Sequence, residues 1–128
     1  MKRQTIYFAH STHFDYQSLY KVFLDSNLSV DYDLILPHLD EPVNSLDIIR
    51  KSSLFIAEVS VASLGLGIEL GEANVFKLPI LCVYQRDAKL SSSLKFISAD
   101  FIEYDDLNDL ICQLANLIPL KLKKKDGK

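Results

Sequence analysis

The stretch SVASLGLGIELGEA, residues 60–73, holds the side chains of this chain that are best suited to chemistry. Ser63 is a good helix N-cap residue, and Gly65 and Gly67 follow it in the first turn. Backbone N–H groups left exposed at such a helix start bind anions, phosphate groups included. The same spacing also suits a helix that needs small residues in order to approach a sheet. The spacing by itself leaves both interpretations open.

Two common phosphate motifs are excluded by this spacing. The glycines read Gly65-x-Gly67-x-x-x-Gly71, and they follow the third predicted strand. A dinucleotide-binding fingerprint has the spacing G-x-G-x-x-G after the first strand, and a P-loop ends in Gly-Lys-Ser or Gly-Lys-Thr. The segment SLGLG also lacks the G-x-S-x-G pattern of a serine nucleophile elbow.

Glu69 is the candidate catalytic carboxylate. It lies six residues after Ser63, among apolar and small neighbours, and it shares a helix face with Glu72. A carboxylate in such surroundings is poorly solvated, and it can then act as a nucleophile or as a base. The alternative for any helical glutamate is a solvated surface position.

Histidines and serines in two loops are candidates to join this carboxylate. His10 and His13 follow the first predicted strand, and Ser91, Ser92 and Ser93 form a cluster in a later loop. Imidazoles bind phosphate or transfer protons near neutral pH, and hydroxyls donate to phosphate oxygens. Each of these residues is also explained as an ordinary polar loop residue. The spacing of histidines and cysteines predicts no metal site, and we expect no cofactor.

The elements that must position these residues alternate along the chain. Runs rich in β-branched and aromatic residues predict five strands, at residues 5–10, 32–37, 54–60, 78–84 and 100–105. Helical spacing predicts helices at 15–27, from Asn44 or Ser45 to 52, at 63–76 and at 107–118, with Pro119 after the last helix end. Apolar strands that alternate with helices predict an α/β fold, a Rossmann-like or flavodoxin-like three-layer sandwich with a mostly parallel five-stranded sheet.

The carboxyl edge of such a sheet is where ligands bind. Three segments meet at that edge in the predicted fold. They are AHSTHF after the first strand, EVSVASLG after the third and QRDAKLSSS after the fourth. We therefore expect the histidines, the N-cap serine and the serine cluster to lie around one site.

Length and charge narrow the classes of function. The 128 residues predict one domain, residues 1–120, followed by a basic and disordered tail, residues 121–128. The whole chain carries −3, and the tail, with five lysines and one aspartate, carries +4, so the remainder carries −7. An acidic body does not favour a nucleic acid polymer as a partner.

Membrane and secretory roles are not expected. No apolar run approaches the roughly 18 residues that a membrane-spanning helix needs. The segment MKRQTIYFAH leads directly into a predicted strand, without the features of a signal peptide. Cys82 and Cys112 lie in apolar runs, which predicts two buried free thiols in a reducing compartment. We therefore expect a cytoplasmic protein.

Three segments together resemble one enzyme family: IYFAHS, SSLFIAEVSVASLGLGIELGEA and KLPILCVY. They are similar to the nucleoside 2-deoxyribosyltransferase superfamily, and most of all to its 2′-deoxynucleoside 5′-phosphate N-hydrolase branch. The resemblance covers residues 5–95. It implies a Rossmann-like sheet and cleavage of the N-glycosidic bond of (2′-deoxy)nucleoside 5′-monophosphates. The free base is then released by hydrolysis, or the sugar is transferred to another base.

The resemblance also implies residue roles. Glu69 matches the family's nucleophile, which attacks the anomeric carbon of the sugar as in a retaining glycosidase. Tyr7 matches a tyrosine beside that nucleophile. Ser11 and Ser63 match serines that hold the 5′-phosphate, and Ser93 matches one that reaches across from a partner subunit. A homodimer or a higher homo-oligomer is therefore implied.

The sequence departs from that branch at two positions. His13 stands where the branch has an arginine, which makes phosphate binding weaker or pH-dependent. The family's second carboxylate falls on Ser45 when no gap is allowed, and Asp47 is the nearest acid on the same predicted helix; Asp40 and Glu41 are also nearby. These departures leave open a nucleotide-binding module that does not turn its ligand over. A role unrelated to nucleotides on the same scaffold is a third alternative.

Overall fold

A five-stranded parallel sheet forms the centre of the protein. The computed structural model describes residues 3–39, 44–98 and 100–127, with side chains described to residue 122. The strands are β1 (Thr5–His10), β2 (Asp33–Ile35), β3 (Leu54–Glu58), β4 (Ile80–Gln85) and β5 (Asp100–Tyr104), in the spatial order β2-β1-β3-β4-β5. All neighbouring pairs are parallel. The predicted α/β fold is confirmed, with the flavodoxin-like strand order.

Local capping signals set where several helices begin. The described residues form the helices α1 (Tyr16–Leu24), α2 (Leu28–Asp31), α3 (Ser45–Lys51), α4 (Leu64–Val75) and α5 (Leu107–Gly127), and a 3₁₀-helix over Ser92–Phe96. The side chains of Asp15, Asn44 and Ser63 each accept a hydrogen bond from a backbone N–H in the first turn of α1, α3 and α4. The predicted starts of these three helices are confirmed.

The carboxyl end of β1 lies at the point where the strand order reverses, because the chain adds β2 on one side of β1 and the later strands on the other side. β1 pairs with β2 on one side and with β3 on the other, and His10 lies beside Glu58 at the ends of the paired strands. The loops that follow β1 and β3 therefore lie next to each other. They carry His13 and Ser63, which the sequence analysis assigned to one site.

Alternation along β1 sends its side chains into two separate cores. Ile6 and Phe8 pack with α1 and α5 on one face of the sheet. Tyr7 and Ala9 pack with residues of α3 and α4 on the other face. All of these side chains are buried. The period of two thus points Tyr7 towards the helix that carries Glu69.

The last helix differs from the prediction at its end. α5 continues through Pro119 to Gly127, so the expectation that Pro119 follows the helix end is wrong. The reason is packing, because buried residues recur every four positions through Leu114, Ile118 and Leu122. Their burial offsets the roughly 3 kcal/mol that an interior proline costs a helix. Lys121, which we assigned to the tail, pairs with Asp100 at 2.9 Å.

Two further expectations need correction. The predicted helix over 15–27 ends at Leu24, and a separate short helix, α2, follows it. Cys82 is a buried free thiol as expected, but Cys112 is exposed. Cys112 lies on α5 between Leu110 and Leu114, which both face the core, so its own side chain points outward. No helix among the described residues is long and apolar enough to cross a membrane.

Candidate active site at the carboxyl edge of the sheet

The site is built around a contact between β1 and α4. The Tyr7 hydroxyl donates a hydrogen bond to Oε2 of Glu69, with an oxygen–oxygen distance of 2.6 Å. Tyr7 is fully buried, and its ring stacks on Phe55 of β3 at a centroid distance of 5.5 Å. Glu69 is partly exposed. A rigid donor in the sheet therefore holds a carboxylate that solvent and ligands can still reach.

The electrostatics of this pair keep the tyrosine protonated. Burial, and next the hydrogen bond with Glu69, raise the pKa of Tyr7 well above its usual range. Burial also raises the pKa of Glu69, while the hydrogen bond from Tyr7 acts in the opposite direction. Tyr7 is therefore a permanent donor. Glu69 is a partly desolvated carboxylate, more basic than an ordinary surface glutamate.

A cavity of about 410 Å³ opens beside Glu69. Its walls come from the end of β1 and the loop after it, from the loop after β2 and from the first half of α4. The lining residues are His10, Thr12, His13, His38, Ser63, Leu64, Gly65, Leu66 and Glu69. Four residues predicted from the sequence for this site, His13, Ser63, Gly65 and Glu69, thus surround one cavity.

The start of α4 leaves backbone accessible to a ligand. Gly65 and Gly67 are exposed, and a Cβ added at either position would meet nothing within 4 Å. The helix therefore does not need these glycines in order to approach the sheet, which removes that interpretation. The Ser63 hydroxyl accepts from the backbone N–H of Leu66 at 3.3 Å, and α4 is 12 residues long. What remains is a helix start with the geometry of an anion site.

His10 is held as a neutral ring. Its Nδ1 donates to the backbone carbonyl of Ser11 at 2.9 Å, so Nε2 accepts from the Tyr20 hydroxyl at 2.6 Å. The Tyr20 hydroxyl in turn accepts from the backbone N–H of His38 at 3.1 Å. Burial is the main cause that lowers the pKa of His10. Both ring nitrogens of His10 are occupied, which leaves His13 and His38 as the cavity histidines able to exchange protons with a ligand.

Ser11 and Ser93 lie outside this cavity. Ser11 is buried, and its hydroxyl accepts from the backbone N–H of His13 at 3.0 Å, so it shapes the loop after β1. Ser93 is exposed and lines a second cavity of about 330 Å³, on the other side of the α4 start. That cavity also contains Gly67 and Lys89. Ser63 and Leu66 line both cavities and lie between them.

A buried carboxylate that the sequence analysis passed over stabilises the loop before α4. Glu58, at the end of β3, is fully buried and accepts a very short hydrogen bond from the Tyr104 hydroxyl. It also accepts from the backbone N–H and the hydroxyl of Ser60, at 2.7 and 2.9 Å. The Ser60 hydroxyl accepts from the backbone N–H of Gln85 at 2.7 Å. A lone acid in the apolar run LFIAEV was the available signal for this network.

Comparison with known proteins places this geometry in a family context. No family model matches the chain. Over 47 residues it is 43% identical to a protein of Methanosarcina barkeri and 45% identical to one of Methanosarcina mazei, both provisionally named 2′-deoxynucleoside 5′-phosphate N-hydrolase 1. These matches cover 37% of this chain and 30% and 29% of the two relatives. The matched segment therefore spans less than a third of the relatives' length.

Solved structures share the fold over most of the chain. CMP N-glycosidase BcmB of Clostridium botulinum superposes with a TM-score of 0.66 and 18% identity, over 88% of this chain and 98% of that one. A conserved protein from Enterococcus faecalis V583 superposes with a TM-score of 0.58 and 15% identity, over 97% and 99% of the two chains.

The resemblance to the nucleoside 2-deoxyribosyltransferase superfamily is confirmed. Two of the matched proteins are named as hydrolases and one as a glycosidase, in agreement with the predicted enzyme.

When no gap is allowed in the resemblance, the superfamily's second carboxylate falls on Ser45. This residue is the first of α3, and its side chain lies beside Glu69 and Tyr7, where it lowers the pKa of both groups. Asp47, the acid we preferred from the sequence, pairs instead with Arg50 at 2.6 Å on an exposed surface. Asp47 does not line the Glu69 cavity. The structure thus brings together Tyr7, Ser45 and Glu69 and leaves Asp47 outside. Asp40 and Glu41, the other nearby acids, lie outside the described residues.

The site shows no arrangement suited to a metal ion. Among the described residues, no group of three or more His, Cys, Asp or Glu side chains is placed to hold one.

Proposed function

We propose that this protein cleaves the N-glycosidic bond of a 2′-deoxynucleoside 5′-monophosphate and releases the free base. We expect hydrolysis rather than transfer of the sugar to another base. One observation carries the proposal. A desolvated carboxylate, Glu69, is held by Tyr7 at 2.6 Å in the wall of a cavity that ends at an exposed helix start. A sugar beside the carboxylate and a phosphate at the helix start fit this arrangement. The names of the matched relatives support the same substrate class.

In the proposed first step, a carboxylate oxygen of Glu69 attacks C1′ of the sugar. A bond forms between this oxygen and C1′, the bond from C1′ to the base nitrogen breaks, and the base leaves with the electron pair. Tyr7 and Ser45 orient the carboxylate for this attack. Water then attacks C1′ of the glycosyl-enzyme, displaces Glu69 and completes the hydrolysis. A second base in place of water would give transfer.

The departing base needs a proton, and His38 is placed to give it. His38 lines the cavity, and its charge acts on Glu69 by lowering the pKa of that carboxyl. His10 does not serve because both its ring nitrogens are occupied. A histidine proton donor in this role compensates for the serine that stands at the position of the second carboxylate.

The 5′-phosphate is assigned to the start of α4. Gly65 exposes backbone there, Ser63 caps the helix, and His13 faces the same cavity, whereas the backbone N–H of Gly67 donates to the Ser63 carbonyl. Ser11 contributes through the loop that it holds. Because His13 replaces an arginine, phosphate binding weakens as this imidazole loses its proton. No cofactor is required in this scheme.

Ser93 completes the phosphate site only from a second copy of the chain. In its own chain it lies across α4 from the Glu69 cavity. The outward side of α4 is apolar, since Leu64, Ile68 and Val75 are 82%, 54% and 75% exposed. We assign this face to a homodimer contact, in which the partner's serine approaches the α4 start. We propose that this dimer acts in the cytoplasm on nucleoside monophosphates.

Base release tests the proposed function. Purified protein is incubated with each deoxynucleoside monophosphate, each ribonucleoside monophosphate and the matching nucleosides, and free base is followed by chromatography. We expect release from monophosphates by the wild type and by Glu103→Gln, a surface control on β5. We expect none from Glu69→Gln, whose folding is checked by circular dichroism. Release that persists in folded Glu69→Gln would rule out this nucleophile.

A nucleotide-binding module without turnover is the second candidate. Ser45 in place of a carboxylate is the observation that favours it. This candidate predicts monophosphate binding by calorimetry, no base release, and equal affinity for the wild type and Glu69→Gln.

A further inference from the structure

Glu72 lies one helical turn after Glu69 on α4 and has an unusual environment. Its Oε1 atom is buried and has no hydrogen-bond partner among the described residues. Residues three apart on a helix share a side of it, so the two glutamates lie on the same flank. A buried carboxylate oxygen without a hydrogen-bond partner is unusual in a folded protein, and its presence here requires an explanation.

The reason does not lie in stability. Burial of a carboxylate oxygen without a donor forfeits the hydrogen bonds that water would supply. An apolar residue would fill the same space without that loss. A glutamate at this position is therefore better explained by its effect on a neighbour than by its contribution to folding.

The neighbour is Glu69. Each element packed around Glu69 contributes one side chain that changes the pKa of this carboxyl. Tyr7 from β1, Ser45 from α3 and His38 from the loop after β2 all favour the charged form of Glu69. Glu72, from α4 itself, is the one of these groups with a negative charge, and it disfavours that form. His10 and His13 line the same cavity, and Asp47 is paired with Arg50 on the outside.

We propose that Glu72 is a positioning residue that acts through Glu69, as a second carboxylate one helical turn away on α4 whose like charge opposes the negative charge of the nucleophile. The inference rests on the proposed function of Glu69. It also accounts for the serine on α3, because the second negative charge near the nucleophile comes from α4.

The sign of the effect follows from the like charge. The negative charge of Glu72 raises the pKa of Glu69. Replacement of Glu72 by glutamine removes that charge and retains the size of the side chain. Glu69 then ionises at lower pH, and the acid limb of kcat/KM moves to lower pH with it.

The experiment measures Glu72→Gln in two ways, with Glu103→Gln as the matched control on an exposed strand position. The first readout is the pH profile of kcat/KM for base release. The second is the titration of Glu69 itself, by carbon NMR of protein labelled at glutamate carboxyls, with the Glu69 signal assigned from Glu69→Gln. We expect both midpoints to move to lower pH in Glu72→Gln and to stay in place in Glu103→Gln.

The two readouts separate failure of this inference from failure of the proposed function. A Glu69 midpoint that stays in place, or moves to higher pH, in folded Glu72→Gln would overturn the inference even if Glu69→Gln is inactive. Base release by Glu69→Gln would overturn the proposed function, whatever the NMR shows. Should Glu72→Gln fail to fold, Glu72→Met removes the same charge without leaving a buried polar group, and the same midpoints decide.

Discussion

Tyr7 and Glu69 are 62 positions apart in the sequence and are joined by a hydrogen bond of 2.6 Å. The tyrosine belongs to the most buried part of the sheet, and the glutamate belongs to a helix that borders an open cavity. The contact thus connects the rigid core of the protein to its reactive edge. It fixes the carboxylate without closing the site.

Removal of the Tyr7 hydroxyl should weaken catalysis and move its pH dependence. Tyr7→Phe retains the ring stack on Phe55 but loses the donor to Glu69. The hydrogen bond lowers the pKa of Glu69, so its loss raises that pKa, and the acid limb of kcat/KM moves to higher pH. We expect kcat/KM to fall roughly ten- to a hundredfold, which corresponds to a hydrogen bond to a charged group. Tyr32→Phe, outside the cavity, is the control.

An unchanged profile in Tyr7→Phe would mean that the phenol does not act on Glu69 in solution. The direction of the pH shift is as informative as its size, since Tyr7→Phe and Glu72→Gln should move the acid limb of kcat/KM in opposite directions.

Ser45 and Asp47 make a second, paired prediction. Ser45→Ala removes a hydroxyl that lowers the pKa of Glu69, so we expect roughly tenfold lower kcat/KM and an acid limb at higher pH. Asp47→Asn breaks only an exposed ion pair with Arg50 and should change kcat/KM less than about twofold. Steady-state base release measures both. A larger loss of kcat/KM in Asp47→Asn than in Ser45→Ala would assign the role of the second carboxylate to Asp47.

The buried His10 should make the protein less stable in mild acid. Its pKa is lowered in the folded state mainly by burial, whereas in the unfolded chain it is near 6.5. Between these two pKa values the unfolded chain binds more protons than the folded protein does. The stability that His10 contributes is therefore complete above about pH 6.5, and it is lost as pH falls through the pKa of the folded state. Urea unfolding between about pH 7.5 and 5 measures the slope.

His10→Gln should be less stable than the wild type at neutral pH, because it loses the Tyr20 contact, and it should show a flatter pH dependence. Val30→Ala, at an exposed position that carries no titratable group, is the control and should retain the wild-type slope. Parallel curves for His10→Gln and the wild type would assign the acid sensitivity to other groups.

The unpartnered oxygen of Glu72 predicts a stabilising substitution. Glu72→Met removes a buried polar atom without a partner and should raise the free energy of unfolding by about 1 kcal/mol. Glu103→Met, at an exposed position, should change it by less than about 0.5 kcal/mol. Denaturant unfolding at neutral pH is the measurement. A destabilised Glu72→Met would indicate that the carboxylate has a structural partner.

The apolar face of α4 predicts the oligomeric state. We expect light scattering to give a dimer for the wild type, and a monomer for the double variant Leu64→Lys with Ile68→Lys, because two exposed apolar contacts become charged. Val30→Lys changes a side chain of similar exposure on α2 and should leave the dimer intact. A monomeric wild type would remove Ser93 from the phosphate site.

Short-range signals allowed much of this molecule to be predicted. The strand β1 and the starts of α1, α3 and α4 follow from β-rich runs and from side chains that cap the nearest backbone N–H groups. The alternation of strands and helices gave the parallel sheet, and the sheet gave the edge where Ser63, His13 and Glu69 meet. The strand and capping signals each depend on residues only a few positions apart, and the sheet follows from the order of the elements along the chain.

Tertiary packing decided the rest. Two residues along a helix is a rotation of about 200°, so whether Ser45 or Asp47 meets Glu69 depends on how α3 is turned against the sheet. Whether α5 continues past Pro119 depends on the burial of Ile118 and Leu122 against residues far away in sequence. The sequence by itself identified several candidate site residues, among them Tyr7, Ser63 and Glu69. The fold determined which of them touch, because contacts between distant segments are set by the packing of the whole core.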